Sequence, residues 1–147
     1  MIPLPDESLG YGRILQFPYV AFYDLRTPTA ISDLARIDEV PVLWRLSVRI
    51  TGGHDRWPKF GRAPLAGAVA EPVTFFTQDE DVIDSCSIYD SEGMSRRARP
   101  DECVGLERSA NWDARHVEVR LLDHFLGRQN ETAARLSVRR STRRRRA

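Results

Sequence analysis

The residue types in this chain that could do chemistry are three histidines (His54, His116, His124), two cysteines (Cys86, Cys103) and scattered carboxylates. Their densest gathering is in residues 101–125. It starts with the run Glu102-Cys103-Val104-Gly105-Leu106-Glu107, continues through Trp112-Asp113, and ends with His116, Asp123 and His124. Glu107, His116 and Asp123 are the types needed for proton transfer, and the histidines with neighbouring acids are the types needed for a metal. The spacing argues against both. His116 and Asp123 are seven apart and could share a helix face, but His116 and His124 are eight apart, two turns along a helix. A paired-histidine metal site of the HExxH kind needs its ligands one turn apart. Polar residues along the edge of an amphipathic helix account for the same pattern. The cysteines form no CxxC pair, and a reducing compartment would leave them as buried, apolar thiols. Glycine-rich phosphate loops, a GxSxG elbow and a Cys–His nucleophile setting are all absent from the sequence. The reading is therefore a protein without catalytic, metal or cofactor residues.

A second gathering is acidic. Asp79, Glu80 and Asp81 are consecutive, Asp84 follows closely, and Tyr89 and Asp90 are a few residues on. A solvated turn explains it, and so does a contact patch for a basic partner, because complementary charge speeds encounter and fixes register. Calcium is a poor fit, since the spacing lacks the twelve-residue loop with glycine at its sharp turn. The aromatic residues Tyr11, Phe22, Tyr23, Trp44, Trp57, Phe75, Phe76 and Trp112 are expected in the core. A nucleic-acid stacking surface would interleave exposed rings with positive charge, and here the rings sit in an acidic body.

That body is masked by the overall net charge of +1. Seven arginines (135, 139, 140, 143, 144, 145, 146) close the chain with no acid among them. Removing them from 22 basic residues leaves 15 against 21 acids in residues 1–134, a body near −6 and a tail near +7. The tail could bind a polyanion or serve solubility. Lys59 is the single lysine against 21 arginines, a bias that weakens the meaning of each arginine. A length of 147 residues suits one domain able to bury a core unaided. Apolar runs are too short to span a membrane, and the N-terminus lacks a basic region followed by an apolar one. The expected location is cytoplasmic.

The elements that must position these residues follow from periodicity. Residues 11–16 and 19–24 read as strands joined at Phe17-Pro18 as a hairpin. A short helix is expected near 31–36, capped by Thr29 or Ser32. Val42, Trp44, Leu46, Val48 and Ile50 alternate with Arg45, Ser47 and Arg49, the clearest strand in the chain and one with a buried and a wet face. Gly52-Gly53-His54-Asp55 reads as a turn, and residues 56–61 as a loop with a short edge strand anchored by Trp57. Strands are expected at 73–77, 86–90 and 94–97. A proline-started turn ends at Gly105. A C-terminal helix near 113–126 begins at the cap Asp113 and stops at Gly127. Its apolar stripe is Val117, Leu121 and Phe125, widened by Ala114, Leu122 and Leu126. The predicted fold is α+β, mostly β: a twisted antiparallel sheet or partly open barrel. Residues 1–134 form a single domain, and 135–147 an arginine-rich tail expected to be disordered.

Several short runs, in order, resemble a known family. They are Gly10-Tyr11-Gly12-Arg13-Ile14-Leu15, Val20-Ala21-Phe22-Tyr23-Asp24 and Pro41-Val42-Leu43. Arg56-Trp57-Pro58, Phe75-Phe76 with Gln78-Asp79, and Ser87-Ile88-Tyr89-Asp90 continue them. The closing runs are Glu102-Cys103-Val104-Gly105-Leu106-Glu107, Trp112-Asp113, His116-Val117, Arg120-Leu121, Asp123-His124-Phe125 and Gly127-Arg128. Together they are similar to the immunity protein 26 family of bacterial polymorphic toxin systems, over roughly residues 2–130; the arginine tail is outside that pattern. The resemblance implies a non-enzymatic antidote that binds a cognate toxin, many such toxins being nucleases, and it assigns no catalytic residues. On charge alone, the candidate toxin contact is Asp79, Glu80, Asp81 and Asp84, with Tyr89 and Asp90 adjacent. A rival expectation is a nucleic-acid-binding or regulatory module that uses the arginine tail.

Overall fold

The computed structural model describes residues 1–50 and 56–141. The turn expected at Gly52-Gly53-His54-Asp55 and the arginines from 143 onward lie outside those residues. In chain order the elements are β1 (Ile2–Pro3), β2 (Leu9–Ile14), β3 (Tyr19–Thr27), α1 (Leu34–Asp38), β4 (Val42–Arg49), β5 (Thr74–Gln78), β6 (Cys86–Asp90), β7 (Ser95–Ala98), β8 (Glu107–Arg108), β9 (Asn111–Asp113), α2 (Ala114–Phe125) and α3 (Glu131–Leu136). Strand makes up 32% of the described residues against 23% helix, so the fold is α+β and mostly β. The chain divides into two compact units. One comprises Met1–Glu71 with Ala110–Ala134; the other comprises Pro72–Ser109 with the described residues from Arg135 on.

The first unit is built on a curled sheet in the order β1-β2-β3-β4-β9. Its first four strands pair antiparallel, and β9 pairs parallel with β4, Val48 opposite Trp112. β3 lies at the centre. Val20, Ala21, Phe22 and Tyr23 are all buried, so consecutive residues, not alternate ones, leave water. The reason is that the second face of the sheet is covered too. Arg13 donates from Nη2 to the carbonyls of Ala63 (2.8 Å) and Pro64 (2.6 Å), and Arg45 donates from Nη1 to those of Ala68 (3.3 Å) and Glu71 (3.0 Å). The alternation in β4 survives on the inner side, where Leu46 and Val48 are buried. Its arginine-bearing side, expected to be wet, instead holds down the following segment. β2 approaches β3 closely beside its bulge: a Cβ on Gly12 would stand 3.0 Å from the Ala21 carbonyl oxygen.

α1 begins later than expected because Asp33 is its cap, accepting from the Arg36 N–H at 3.3 Å, in place of Thr29 or Ser32. Residues 56–61 form no strand. Trp57 anchors the loop as expected, buried, with Nε1 donating to Glu118 Oε1 at 2.8 Å. Arg56 adds a two-pronged pair with the same carboxylate. α2 starts at the cap Asp113 and stops before Gly127, whose φ of +67° is the left-handed turn a helix end favours. Ala114, Val117, Leu121 and Leu122 are buried on the sheet. Two positions differ from the expected stripe. Leu126, past the end of α2, is 46% exposed, and Arg120, outside the expected stripe, is only 8% exposed.

The second unit has a sheet in the order β7-β6-β5-β8, with β8 parallel to β5 and the other pairs antiparallel. Phe76, Cys86, Ala98 and Cys103 form its core, with Ile88, Leu106 and Val138 packed against it. Pro100–Cys103 is a single 3-10 turn. Glu102 closes it by accepting from the Arg99 N–H at 2.8 Å, and Gly105 turns the chain out at φ +85°. The tail boundary expected at Arg135 falls inside α3, and Leu136, Ser137 and Arg139 are bonded to this unit. The strands β1, β8 and β9 were not legible in the sequence. At two or three residues each they are too short to show alternation.

Leu121 is fully buried, and its Cδ1 lies 3.4 Å from where a Cβ on Gly10 would stand. Leu121→Ala should therefore cost about 2–5 kcal/mol in a denaturant titration, with the slope of the unfolding free energy unchanged.

Candidate functional site

The acidic residues occupy the β5–β6 connection. Gln78 pairs with Cys86 across the hairpin, and beyond them the Asp79 N–H reaches the Ser85 carbonyl at 3.0 Å while the Ser85 N–H reaches that of Val82 at 2.8 Å. The Asp79 side chain organises the turn. Its Oδ1 accepts from the N–H groups of Asp81 (2.8 Å) and Val82 (2.9 Å). These two donors hold the Asp79 carboxyl below its ordinary value of 3.8. Glu80, Asp81 and Asp84 are exposed on this loop, with Val82 exposed among them. The result is a negatively charged loop whose backbone is bonded in place.

Tyr89 and Asp90 are placed elsewhere. They end β6, separated from the loop by a strand whose five residues span roughly 17 Å. Asp90 organises the β6–β7 turn as Asp79 does its own, accepting from Glu92 N–H at 2.9 Å and Met94 N–H at 3.1 Å. The Tyr89 hydroxyl bonds the Ser109 hydroxyl, and its ring lies 5.8 Å from that of Phe75. The structure thus brings four of the six candidate residues together and leaves two at the far end of the hairpin.

The acid–base candidates fall on different elements. Glu107 lies on β8 in the second unit, whereas His116 and Asp123 lie on α2 in the first. His116 is exposed. Asp123 accepts from Arg128 Nε (3.1 Å) and Asn130 Nδ2 (2.9 Å), closing the turn after α2. His124 Nε2 lies 3.1 Å from Asp24 Oδ1, with its ring edge-on to Trp44 and Phe125. Among the described residues no group of three His, Cys, Asp or Glu side chains could hold a metal ion. Cys86 and Cys103 are free thiols in the core of the second unit. Burial, with Cys86 alongside, pushes the Cys103 thiol up to about 11, so the nucleophilic thiolate is suppressed.

Sequence reasoning missed two sets of buried polar groups. Arg120 lies between two indole rings, its guanidinium carbon 4.0 Å from the centre of Trp44 and 4.8 Å from that of Trp112. The spacing of Trp112 and Arg120 around a helix start held no signal for this, because Trp44 comes from a distant strand. Gln78, only 7% exposed, is the other. Its amide faces the C-terminal segment, and a lone glutamine at a strand end is unremarkable in sequence.

Asp79 gives a pH test. A carboxyl with a depressed folded value contributes to the folded state above its unfolded value and loses that contribution as the pH falls through the folded one. Carbon-13 titration of Asp79 should show a midpoint below 3.8, with the Asp81 and Val82 amide signals moving at the same midpoint. Asp79→Asn should remove that step. In a second test, neither thiol should react with Ellman's reagent in the folded protein at mildly alkaline pH, and both should react in guanidinium.

The model of the immunity protein 26 family matches residues 1–87. That span holds β1 through β5 and the acidic loop, and it ends inside β6, so the resemblance read at residues 102–128 lies beyond it. No curated protein and no solved structure matches the chain. Taken with a fold of mostly strand, a family match over more than half of the length establishes that the chain belongs to the immunity protein 26 family.

Proposed function

We propose that this protein is the antidote of a bacterial polymorphic toxin system: it binds a cognate toxin domain one to one in the cytoplasm and blocks it without catalysis. The observation that carries this reading is the family match, whose residues include the acidic loop. In this reading the contact is on residues 79–84, with Glu80, Asp81 and Asp84 facing the partner; Asp79 supports the turn by accepting from the N–H groups of Asp81 and Val82. A loop already bonded into shape loses little freedom on binding. Tyr89 and Asp90 join the contact where the toxin reaches along β6. A toxin acting on nucleic acid carries a basic surface, and a body near −6 in residues 1–134 steers such a partner toward this loop.

The test uses the toxin domain encoded beside this chain's gene. An equimolar amount of this protein should abolish toxin activity and give a one-to-one complex in light scattering. No inhibition at saturating excess overturns the reading. Glu80→Lys with Asp81→Lys should slow association about tenfold or more at low salt, with the difference shrinking at high salt. Unchanged rates at every salt concentration would move the contact off this loop.

A further inference from the structure

The described end of the chain is docked onto the second unit in an unusual way. Gln78, buried at the end of β5, makes a paired contact with the peptide group of Arg139. Its Oε1 accepts from the Arg139 N–H at 2.9 Å, and its Nε2 donates to the Arg139 carbonyl at 2.6 Å. Arg108 donates from Nε to the Leu136 carbonyl at 2.9 Å and from Nη2 to the Ser137 carbonyl at 3.5 Å. The same guanidinium lies 4.8 Å from the centre of the Phe76 ring and bonds Gln78 Oε1 at 3.1 Å. These four bonds all go to the main chain of residues 136–139. From the side chains, Val138 packs on the core cluster, and the Arg139 guanidinium reaches the Glu80 carbonyl at 3.3 Å beside the acidic loop.

The two sides of this contact are unequal. The receiving side is built from paired strand and buried side chains. Phe76 is fully buried, Gln78 is 7% exposed, and β5 pairs on both sides. The docked side has little of its own. α3 contains no buried residue, Arg139 is exposed, and Leu136 and Val138 are only half-buried. Segments with few buried contacts open at low cost. Opening would remove two of the four hydrogen bonds of the Gln78 amide, since Ile83 and Arg108 supply only the other two. A buried amide left half-satisfied favours a replacement.

We infer that this strip (Phe76, Gln78, Glu80, Arg108) is a peptide-docking site. The chain's own residues 136–139 occupy it in exchange with an extended segment of the toxin, one that places a small apolar residue followed by arginine on the strip. The choice of a toxin segment rests on the immunity reading above. It is favoured by the acidic loop beside the Arg139 position and by recognition through the main chain, which any extended chain satisfies. The strap then lowers the apparent affinity of the site by the fraction of time it is in place, and it shields the strip from segments too weak to displace it.

The test uses the full chain. Arg139→Pro removes the N–H that Gln78 accepts and leaves the strip intact. A fluorescein-labelled peptide of residues 134–141 should bind this variant saturably, and the unsubstituted protein about tenfold or more weaker. The same peptide carrying proline at its own Arg139 position should not bind the variant, a control independent of how the protein folds. Equal binding of both peptides, or of neither, overturns the docking site. With the toxin domain, Arg139→Pro should associate faster than the unsubstituted protein, and the peptide should compete. A toxin neutralised equally by both forms, without competition, overturns the toxin segment as occupant and leaves the immunity reading standing. No neutralisation by either form overturns that reading and this occupant together, while the peptide measurements decide the docking site on their own.

Discussion

Parallel pairing over residues 107–113 is the constraint on which both sheets depend. Glu107 and Arg108 add an edge to β5, and Asn111, Trp112 and Asp113 add one to β4. A parallel strand cannot be supplied by a tight hairpin, so each sheet receives its last strand only after the chain has traversed the other elements. The same short run then sets α2, because Asp113 is at once the end of β9 and the cap of the helix. Trp112 is carried into the core by that pairing, and Arg120, two turns into α2, is brought over its ring. A change in register at Val48 and Trp112 would displace the helix stripe along with the strand.

Arginine does structural work throughout. Arg13 and Arg45 hold backbone carbonyls against the back of the first sheet, Arg56 clamps Glu118, Arg120 stacks between two indoles, and Arg108 receives the C-terminal segment. Each use needs a planar cation with several donors and a long apolar stem, which lysine does not offer. The compositional bias toward arginine weakens the meaning of each one in sequence, yet several make contacts in the fold that use more than one donor of the guanidinium. The acids are used differently. Asp79, Asp90 and Glu102 bond backbone N–H groups in turns, while Glu80, Asp81 and Asp84 stay on the surface. Three exposed carboxylates thus share one loop whose turn is closed by Asp79.

Membership of the immunity protein 26 family agrees with this division of labour. Many carboxylates of the described residues are engaged in turns, helix caps and ion pairs, while Glu80, Asp81 and Asp84 gather on one exposed loop. The docked C-terminal segment adds a contact on the second unit that is read through main chain, beside the acidic loop.

Much of the fold was legible in the sequence because it is locally encoded. The strand alternation of residues 42–49, the cap at Asp113, the stops at Gly105 and Gly127 and the stripe of Val117 and Leu121 depend on neighbours a few residues away, as does the clustering of Asp79, Glu80, Asp81 and Asp84 in one turn. Tertiary structure alone decided the rest. It paired the short strands β1, β8 and β9, buried β3 on both faces, inverted the expected positions of Arg120 and Leu126, parted Tyr89 and Asp90 from the acidic loop, and bonded Gln78 to Arg139. Each depends on partners tens of residues apart in the chain. Burial and pairing are properties of what a residue faces, and one-dimensional spacing determines only the direction in which it points.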